Sequence, residues 1–126
     1  MKSSVSMSAF ILALLVSSLT VAQTSSIPIP LSNNEALAFI KGKDLTGDLV
    51  VAQGRGQVHL QFKENGTMYG NNQGSSDSGK WRVEDGKLCM SWRRWDYDGC
   101  GKLVRSGDAV QHLNVDGNTV HLVFRK

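Results

Sequence analysis

The feature that most constrains the fold is a turn dipeptide set inside a strictly alternating stretch of chain. Asp85-Gly86 can supply the two positive φ angles of a tight type I′ hairpin, and apolar and polar residues alternate on both sides of it. A two-residue turn here predicts the cross-strand pairs Glu84 with Lys87, Val83 with Leu88, Arg82 with Cys89, and Trp81 with Met90. One face of this hairpin would then be wholly apolar, with Trp81, Val83, Leu88, Met90 and Trp92. Such a pattern requires an antiparallel sheet with one buried face.

Two further dipeptides, Asn65-Gly66 and Asp116-Gly117, predict hairpins of the same kind. At the first, a two-residue turn places Phe62 opposite Tyr69. At the second, the predicted pairs are Val115 with Asn118, Leu113 with Val120, His112 with His121, Val110 with Val123, and Asp108 with Arg125. This register points five apolar side chains inward, those of Leu113, Val115, Val120, Leu122 and Phe124. It turns both histidines outward.

About eight short strands follow from this periodicity, near residues 45–52, 57–63, 67–70, 79–84, 87–93, 101–106, 109–115 and 118–125. The Gly-rich and Ser-rich breaks at 54–56 and 71–79 are predicted to be surface loops. We therefore predict an all-β fold, a small antiparallel up-and-down barrel that is calycin-like, because closing the sheet removes its exposed edges. A two-sheet sandwich is the alternative, since the hairpin pattern fits both.

One short N-terminal helix is predicted ahead of the strands. Ser32 and Glu35 form a capping box, and an apolar face follows until Gly42 ends the run. A helix this short must pack on something, and a lid over one end of the barrel is the expected place. The preceding segment 23–31 contains two prolines and is predicted to be extended.

The first residues have the pattern of a segment that is cleaved from the mature protein. Lys2 precedes an apolar run at 9–16, and Thr20-Val21-Ala22 offers the small residues that a signal peptidase recognises. We predict a signal peptide at 1–22, cleaved near Ala22, and a single β domain at 32–126 in a periplasmic or secreted protein. A membrane anchor or a buried N-terminal helix is the alternative reading of that run.

Cys89 and Cys100 are the only two cysteines of the chain, and an even pair in an exported protein predicts a disulfide. The alternative is a pair of metal ligands, but their spacing does not match a compact zinc clip. Without Lys2, the 14 basic residues become 13 against 11 acidic ones, a net charge of about +2. That balance argues against nucleic acid as a partner, and no transmembrane segment is expected after the signal peptide.

The segment from Trp92 to Cys100 is dense in aromatic and charged residues. Tryptophan and arginine dominate binding hot spots, and a disulfide-closed loop loses little entropy on binding. The candidate partner-binding residues are Arg93, Arg94, Trp95 and Tyr97. The alternative is structural, with Trp92 and Trp95 capping the core while the charges pair at the surface.

Catalytic and cofactor chemistry has little support in this sequence. His112 and His121 would be close enough to share one metal ion, but two imidazoles are half of a zinc site, and no carboxylate is placed to complete it. Asp96, Asp98 and Gly99 match only part of a calcium loop. No nucleophile elbow is present. We expect no enzyme activity, no cofactor and no metal.

The stretch 79–89 (GKWRVEDGKLC), running on to Trp92 and Cys100, is similar to a pattern in a family of small exported proteobacterial proteins of unknown function. There Gly-x-Trp precedes a turn, a Leu-Cys strand and a second Cys, and residues 42–47 fit the opening of the same family. The resemblance implies a compact periplasmic β domain and no catalytic residues. Residues 24–27 more loosely resemble the N-terminal tail of periplasmic inhibitors of secreted bacterial metalloproteases, which are small barrels with one disulfide.

Three functions are compatible with this reading. The favoured one is a non-catalytic exported accessory or binding domain whose 92–100 loop contacts a periplasmic or envelope protein. The second is a small-ligand-binding barrel, against which stands the expectation that Trp81, Met90, Trp92 and Phe124 fill the interior. The third is protease inhibition through the N-terminal segment.

Overall fold

A computed structural model of the chain describes residues 27–50 and 56–125. The predicted signal peptide at 1–22 lies outside these residues, as do the first half of the segment 23–31 and most of the predicted loop at 54–56. Within the described ranges, no helix has the length and apolar character needed to cross a membrane.

Over these ranges the chain forms one helix and nine strands. The helix is α1 (Asn33–Ile40). The strands are β1 (Ile29–Pro30), β2 (Asp44–Leu49), β3 (Gln57–Phe62), β4 (Thr67–Asn72), β5 (Ser75–Glu84), β6 (Lys87–Trp92), β7 (Asp98–Ser106), β8 (Ala109–Leu113) and β9 (Val120–Arg125).

Strands β2 to β9 form a closed antiparallel barrel. Each pairs with the next along the chain, and β9 also pairs with β2, so that the eight strands return on themselves. Short β1 lies against β7, where Ile29 faces Arg105 beyond the end of β6. The predicted up-and-down barrel with one short helix is confirmed, and the sandwich is excluded because the sheet has no second layer.

Helix α1 closes one end of the barrel. Its capping box is present as predicted: the Glu35 amide donates to Ser32 Oγ (3.2 Å), and the Ser32 amide donates to the Glu35 carboxylate (3.0 Å). Ala36 and Ile40 are fully buried in the core. The Gly86 amide donates to Asn33 Oδ1 (3.0 Å), which ties the helix to the β5–β6 turn. The opposite end of the barrel has no such lid among the described residues.

The barrel interior is filled by the inward-facing residues of the strands. They include Val58, Leu60, Phe62, Met68, Trp81, Leu88, Met90, Leu103, Val110, Leu122 and Phe124, all buried. Edge-to-face aromatic pairs join Phe62 to Trp81 (6.0 Å between ring centroids) and Phe39 of the helix to Phe124 (5.7 Å).

One of the three predicted hairpins has every predicted pair, and the other two differ from the prediction. Around Asp85-Gly86, all four predicted pairs are present, and both turn residues have positive φ (52° and 74°). At Asn65-Gly66 the register is wrong by one residue, and Phe62 faces Met68 instead of Tyr69. The Lys63 amide donates to the Thr67 carbonyl (2.8 Å), which makes a three-residue loop with Gly66 at positive φ.

The Asp116-Gly117 hairpin has a longer loop than predicted. Residues 114–119 connect the strands, because the Asp116 carboxylate accepts hydrogen bonds from the backbone amides of Asn118 and Thr119. Leu113 does face Val120, but an irregularity between His112 and Leu113 shifts the remaining register. The observed pairs are His112 with Leu122, Gln111 with Val123, and Val110 with Phe124.

The longer loop and the register shift together overturn several side-chain predictions. Val115 is exposed instead of inward-facing, and Leu113 is only half-buried. The predicted pair of Asp108 with Arg125 is also wrong. Because β9 lies against β2, Arg125 instead forms an ion pair with Asp48 (2.8 Å).

The predicted surface loop at 71–79 is likewise wrong. Strands β4 and β5 continue through it to a two-residue turn at Gln73-Gly74, where both residues have positive φ (45° and 95°). Polar composition alone suggested a loop, yet every residue of β4 is paired with β5 in this part of the wall.

The predicted disulfide between Cys89 and Cys100 is confirmed. The two residues are direct neighbours on β6 and β7. Because Leu88 and Met90 on either side of Cys89 point inward, the disulfide lies on the outer face of the barrel. It therefore joins the two strands that carry the 93–97 loop without entering the core.

Candidate functional site

A cavity of about 220 Å³ lies inside the barrel at the end opposite α1. Its buried walls are aliphatic side chains from strands far apart in the sequence: Val58, Leu60, Met90 and Leu122, with half-buried Leu49 beside them. Its more exposed walls are aromatic or polar: Asn72, Trp92, Trp95, Asp96, Tyr97 and His121. An apolar cavity of about 150 Å³ is large enough to hold benzene, so this one has room for a small organic molecule.

A glycine on β4 makes room for the aromatic wall. Gly70 is buried, and the rings of Trp92 and Trp95 pack over it with their centroids 4.7 Å apart. A Cβ atom added at Gly70 would lie 2.5 Å from Trp95 Cζ3 and 2.7 Å from Trp92 Cη2, closer than any real carbon contact. The missing side chain is therefore what allows both indoles to reach the barrel mouth.

The 93–97 loop is fixed to β5 by one carboxylate. The Asp77 side chain is only 2 % exposed, and its Oδ2 accepts from the backbone amides of Arg94 (2.8 Å) and Trp95 (2.9 Å). Burial by itself raises the pKa of Asp77, but these amides and the nearby Arg94 guanidinium outweigh it and hold the pKa below its usual value. Trp95 Nε1 also donates to Ser75 Oγ (3.1 Å). The loop is thus held in one position above the cavity.

Two histidines form a hydrogen-bonded pair beside the cavity. His112 is fully buried, with Nε2 at 3.0 Å from the Leu88 carbonyl and Nδ1 at 3.0 Å from His121 Nδ1. Burial lowers the pKa of His112 to about 4. Burial, and then repulsion from His112, lowers the pKa of His121 to about 3. Both rings are therefore neutral at pH 7.

Tyr97 lies directly on this pair. Its ring stacks on His121 with the centroids 4.0 Å apart and the planes 9° from parallel. Its hydroxyl is buried with no hydrogen-bond partner among the described residues, and burial raises the pKa of that hydroxyl. An unpaired buried hydroxyl costs about 1–3 kcal/mol, so Tyr97 is placed here at a cost to stability.

The prediction that both histidines face outward is wrong. His112 points into the core because of the irregularity next to Leu113, and His121 lines the cavity. Only His59 is exposed, 3.4 Å from Thr46 Oγ1 on the outer wall. His112 and His121 do lie together, but the Nδ1 atom of each ring is hydrogen-bonded to the other ring.

A metal centre has no clear donor set in the part of the chain that the structure describes. The one cluster of three close ligand atoms there consists of Glu84, Cys89 and Cys100. Both of its sulfurs are in the disulfide, so they are not the thiolates that a metal would need.

The four candidate partner-binding residues separate into two pairs. Trp95 and Tyr97 line the cavity. Arg93 and Arg94 lie outside it, on a surface groove that also contains exposed Tyr69, and Arg94 is paired with Asp77. Sequence reasoning missed His121 and the aliphatic walls of the cavity. The isolated glycine at position 70 of an alternating strand is a signal that another group, here the two indole rings, packs closely against the backbone at that point.

Fold and site together define a closed eight-stranded barrel with a lid at one end and an apolar, aromatic-rimmed cavity at the other. No known protein family, no curated protein and no solved structure matches the chain.

Proposed function

We propose that this protein is a non-catalytic, exported binding barrel that takes one small, largely apolar molecule into the cavity opposite α1. The observation that carries the proposal is the cavity itself: about 220 Å³ of space between aliphatic walls and an anchored aromatic loop. Its volume lies below the range of drug-sized ligand sites, about 300–1,000 Å³, so the ligand must be small.

The interior is not filled as the sequence suggested. Trp81, Met90 and Phe124 are buried, but Trp92 is half-buried and forms a wall of the cavity. The outer-face disulfide and the Asp77 contacts hold the rim in place without occupying that space. A preformed rim favours binding because less freedom is lost when a ligand enters.

Export belongs to the same proposal. A disulfide persists in oxidising compartments such as the periplasm, and the predicted signal peptide at 1–22 would deliver the chain there.

The test is titration of the purified, disulfide-bonded protein with two neutral probes, benzyl alcohol and 1-hexanol, followed by calorimetry and by NMR shifts of the leucine methyl groups. Two half-buried leucines on the same inward face of β2 provide a matched pair of variants. Leu49→Trp fills part of the cavity, whereas Leu45→Trp places the same bulk at the helix end. We expect binding to be lost in the first variant and kept in the second. Equal binding by both, or none by the unmodified protein, would refute the proposal.

A protein partner at the outer groove is the second candidate. It is supported by the exposed side chains of Tyr69, Arg93 and Arg94 around one hollow of the surface. Replacing Arg93 with Ala should abolish capture of the partner while leaving probe binding in the cavity intact. Capture unaffected by this change would rule the groove out. Protease inhibition through the N-terminal segment rests on residues 24–27, of which the structure describes only exposed Ile27, and deletion of residues 23–27 tests it.

A further inference from the structure

We infer that the cavity selects a small methylated ammonium cation over neutral and anionic molecules of the same shape. This inference rests on the proposed function and adds the charge and chemical class of the ligand. Three features of the cavity wall carry it: the charge of the lining, the proton arrangement on the histidine pair, and the aromatic rim.

The charge of the lining is negative. Asp96 contributes the one carboxylate, and no lysine or arginine is among the described residues that line the cavity. The nearest arginine in sequence, Arg94, is directed to Asp77 and to the Ser76 carbonyl on the outer surface. An anion entering this space would meet a like charge and no cationic partner, and the aliphatic walls would not replace its lost hydration.

The histidine pair presents a hydrogen-bond acceptor to the cavity. A carbonyl oxygen can only accept, so His112 Nε2 must carry the proton that is donated to Leu88. His112 Nδ1 then holds a lone pair and accepts from His121 Nδ1, which leaves the lone pair of His121 on Nε2. His121 Nε2 has no hydrogen-bond partner among the described residues. It is not fully buried, so a molecule in the cavity can reach it. A ligand hydroxyl can donate to it, whereas a carboxylate cannot.

The aromatic rim matches a cation that carries methyl groups. The rings of Trp92, Trp95 and Tyr97 line one cavity, and the faces of such rings attract cations. A primary ammonium would need several hydrogen-bond acceptors to replace its water, which aliphatic walls do not supply. A methylated ammonium has lost those donors, so its methyl groups can contact both the indoles and the aliphatic walls at small desolvation cost.

The experiment compares three molecules that share one shape: choline, its neutral carbon isostere 3,3-dimethyl-1-butanol, and the anionic 3,3-dimethylbutanoate. Calorimetry on the purified, disulfide-bonded protein should give choline the highest affinity, about tenfold above the neutral alcohol, with no measurable binding of the anion. Asp96→Asn should weaken choline about fivefold and leave the alcohol unchanged. Asp98→Asn is the matched control, because Asp98 lies on the same segment but lines an outer hollow near the disulfide.

The outcomes separate this inference from the proposed function. If the alcohol binds as tightly as choline, or if Asp96→Asn affects both equally, the cation preference is wrong and the binding barrel stands. If none of the three binds while benzyl alcohol does, the cation preference is again wrong. Failure of benzyl alcohol and 1-hexanol as well would overturn the binding barrel itself.

Discussion

Acidification should destabilise this barrel well before its carboxylates are protonated, because fully buried His112 and half-buried His121 are both neutral in the folded protein. The pKa of His112 falls from 6.5 to about 4, and that of His121 from 6.5 to about 3. Between these values the unfolded chain binds a proton at each histidine and the folded chain does not. Stability is therefore complete above pH 6.5 and decreases as the pH falls towards the folded-state values.

The magnitude follows from the width of that window. Each histidine should lower the free energy of unfolding by about 1.4 kcal/mol per pH unit, or about 2 kcal/mol from about pH 6 to about pH 4.5. The two together remove about 4 kcal/mol, a large part of the 5–15 kcal/mol that is typical of a domain, about half in many cases. The pKa of Glu35 is lowered from 4.5, so its stabilising contribution persists through this range and is lost only below it.

Urea denaturation at successive pH values measures the slope. His121→Gln removes one titrating ring and keeps an amide donor for His112 Nδ1, so we expect about half of the slope of the unmodified protein. His59→Gln changes the exposed histidine on the outer wall and should keep the full slope. A flat free energy of unfolding between about pH 6 and about pH 4.5, or a full slope in the His121 variant, would refute the reasoning.

Two further variants test how the rim is built. Gly70→Ala places a methyl group among the indoles, so we expect an altered tryptophan emission spectrum and a loss of about 1–3 kcal/mol in denaturant unfolding. Gly47→Ala is the control, because its Cβ would meet Phe124 at an ordinary 3.4 Å, and an unchanged spectrum in both variants would contradict the packing described. Replacing Cys89 and Cys100 together with Ala should lower the free energy of unfolding by about 3 kcal/mol through the loss of a short closed loop. Equal urea midpoints with and without the disulfide would show that it does not stabilise the folded state.

Much of the barrel could be predicted from the sequence, because alternation and turn residues are local signals. The Asp85-Gly86 hairpin was correct in every pair, since its loop has the two residues that the dipeptide implies. The other two dipeptides also mark turns, but a dipeptide does not specify how many residues the loop contains. The dipeptide also gives no sign of the irregularity between His112 and Leu113. Leu113 faces Val120 as predicted, but beyond it the register moves by one residue, which places His112 in the core instead of in solvent.

The candidate site could be predicted from the sequence only in part, for a reason different from the one that limits the fold prediction. The aromatic density of the 92–97 segment pointed to Trp95 and Tyr97, which do line the cavity. Leu49 and His121, however, reach it from the first and last strands of the barrel, and no local pattern joins residues so far apart in sequence. The orientation of the 93–97 loop also depends on Asp77, because its carboxylate accepts from two backbone amides of that loop. Asp77 lies within residues 71–79, whose polar composition predicts a surface loop and gives no sign of this role.

The closing pair of the barrel also has a consequence for how this chain reaches its native state. Strand β9, the last strand of the barrel along the chain, completes the sheet by pairing with β2, where Gly47 faces Phe124. Contacts between residues so distant in sequence slow folding, because a long stretch of chain must be ordered before they form. Until β9 emerges from the ribosome, β2 and β8 both remain open edges. The barrel can therefore close only after β9 has been synthesised, which would leave the earlier strands unclosed for the export proposed above.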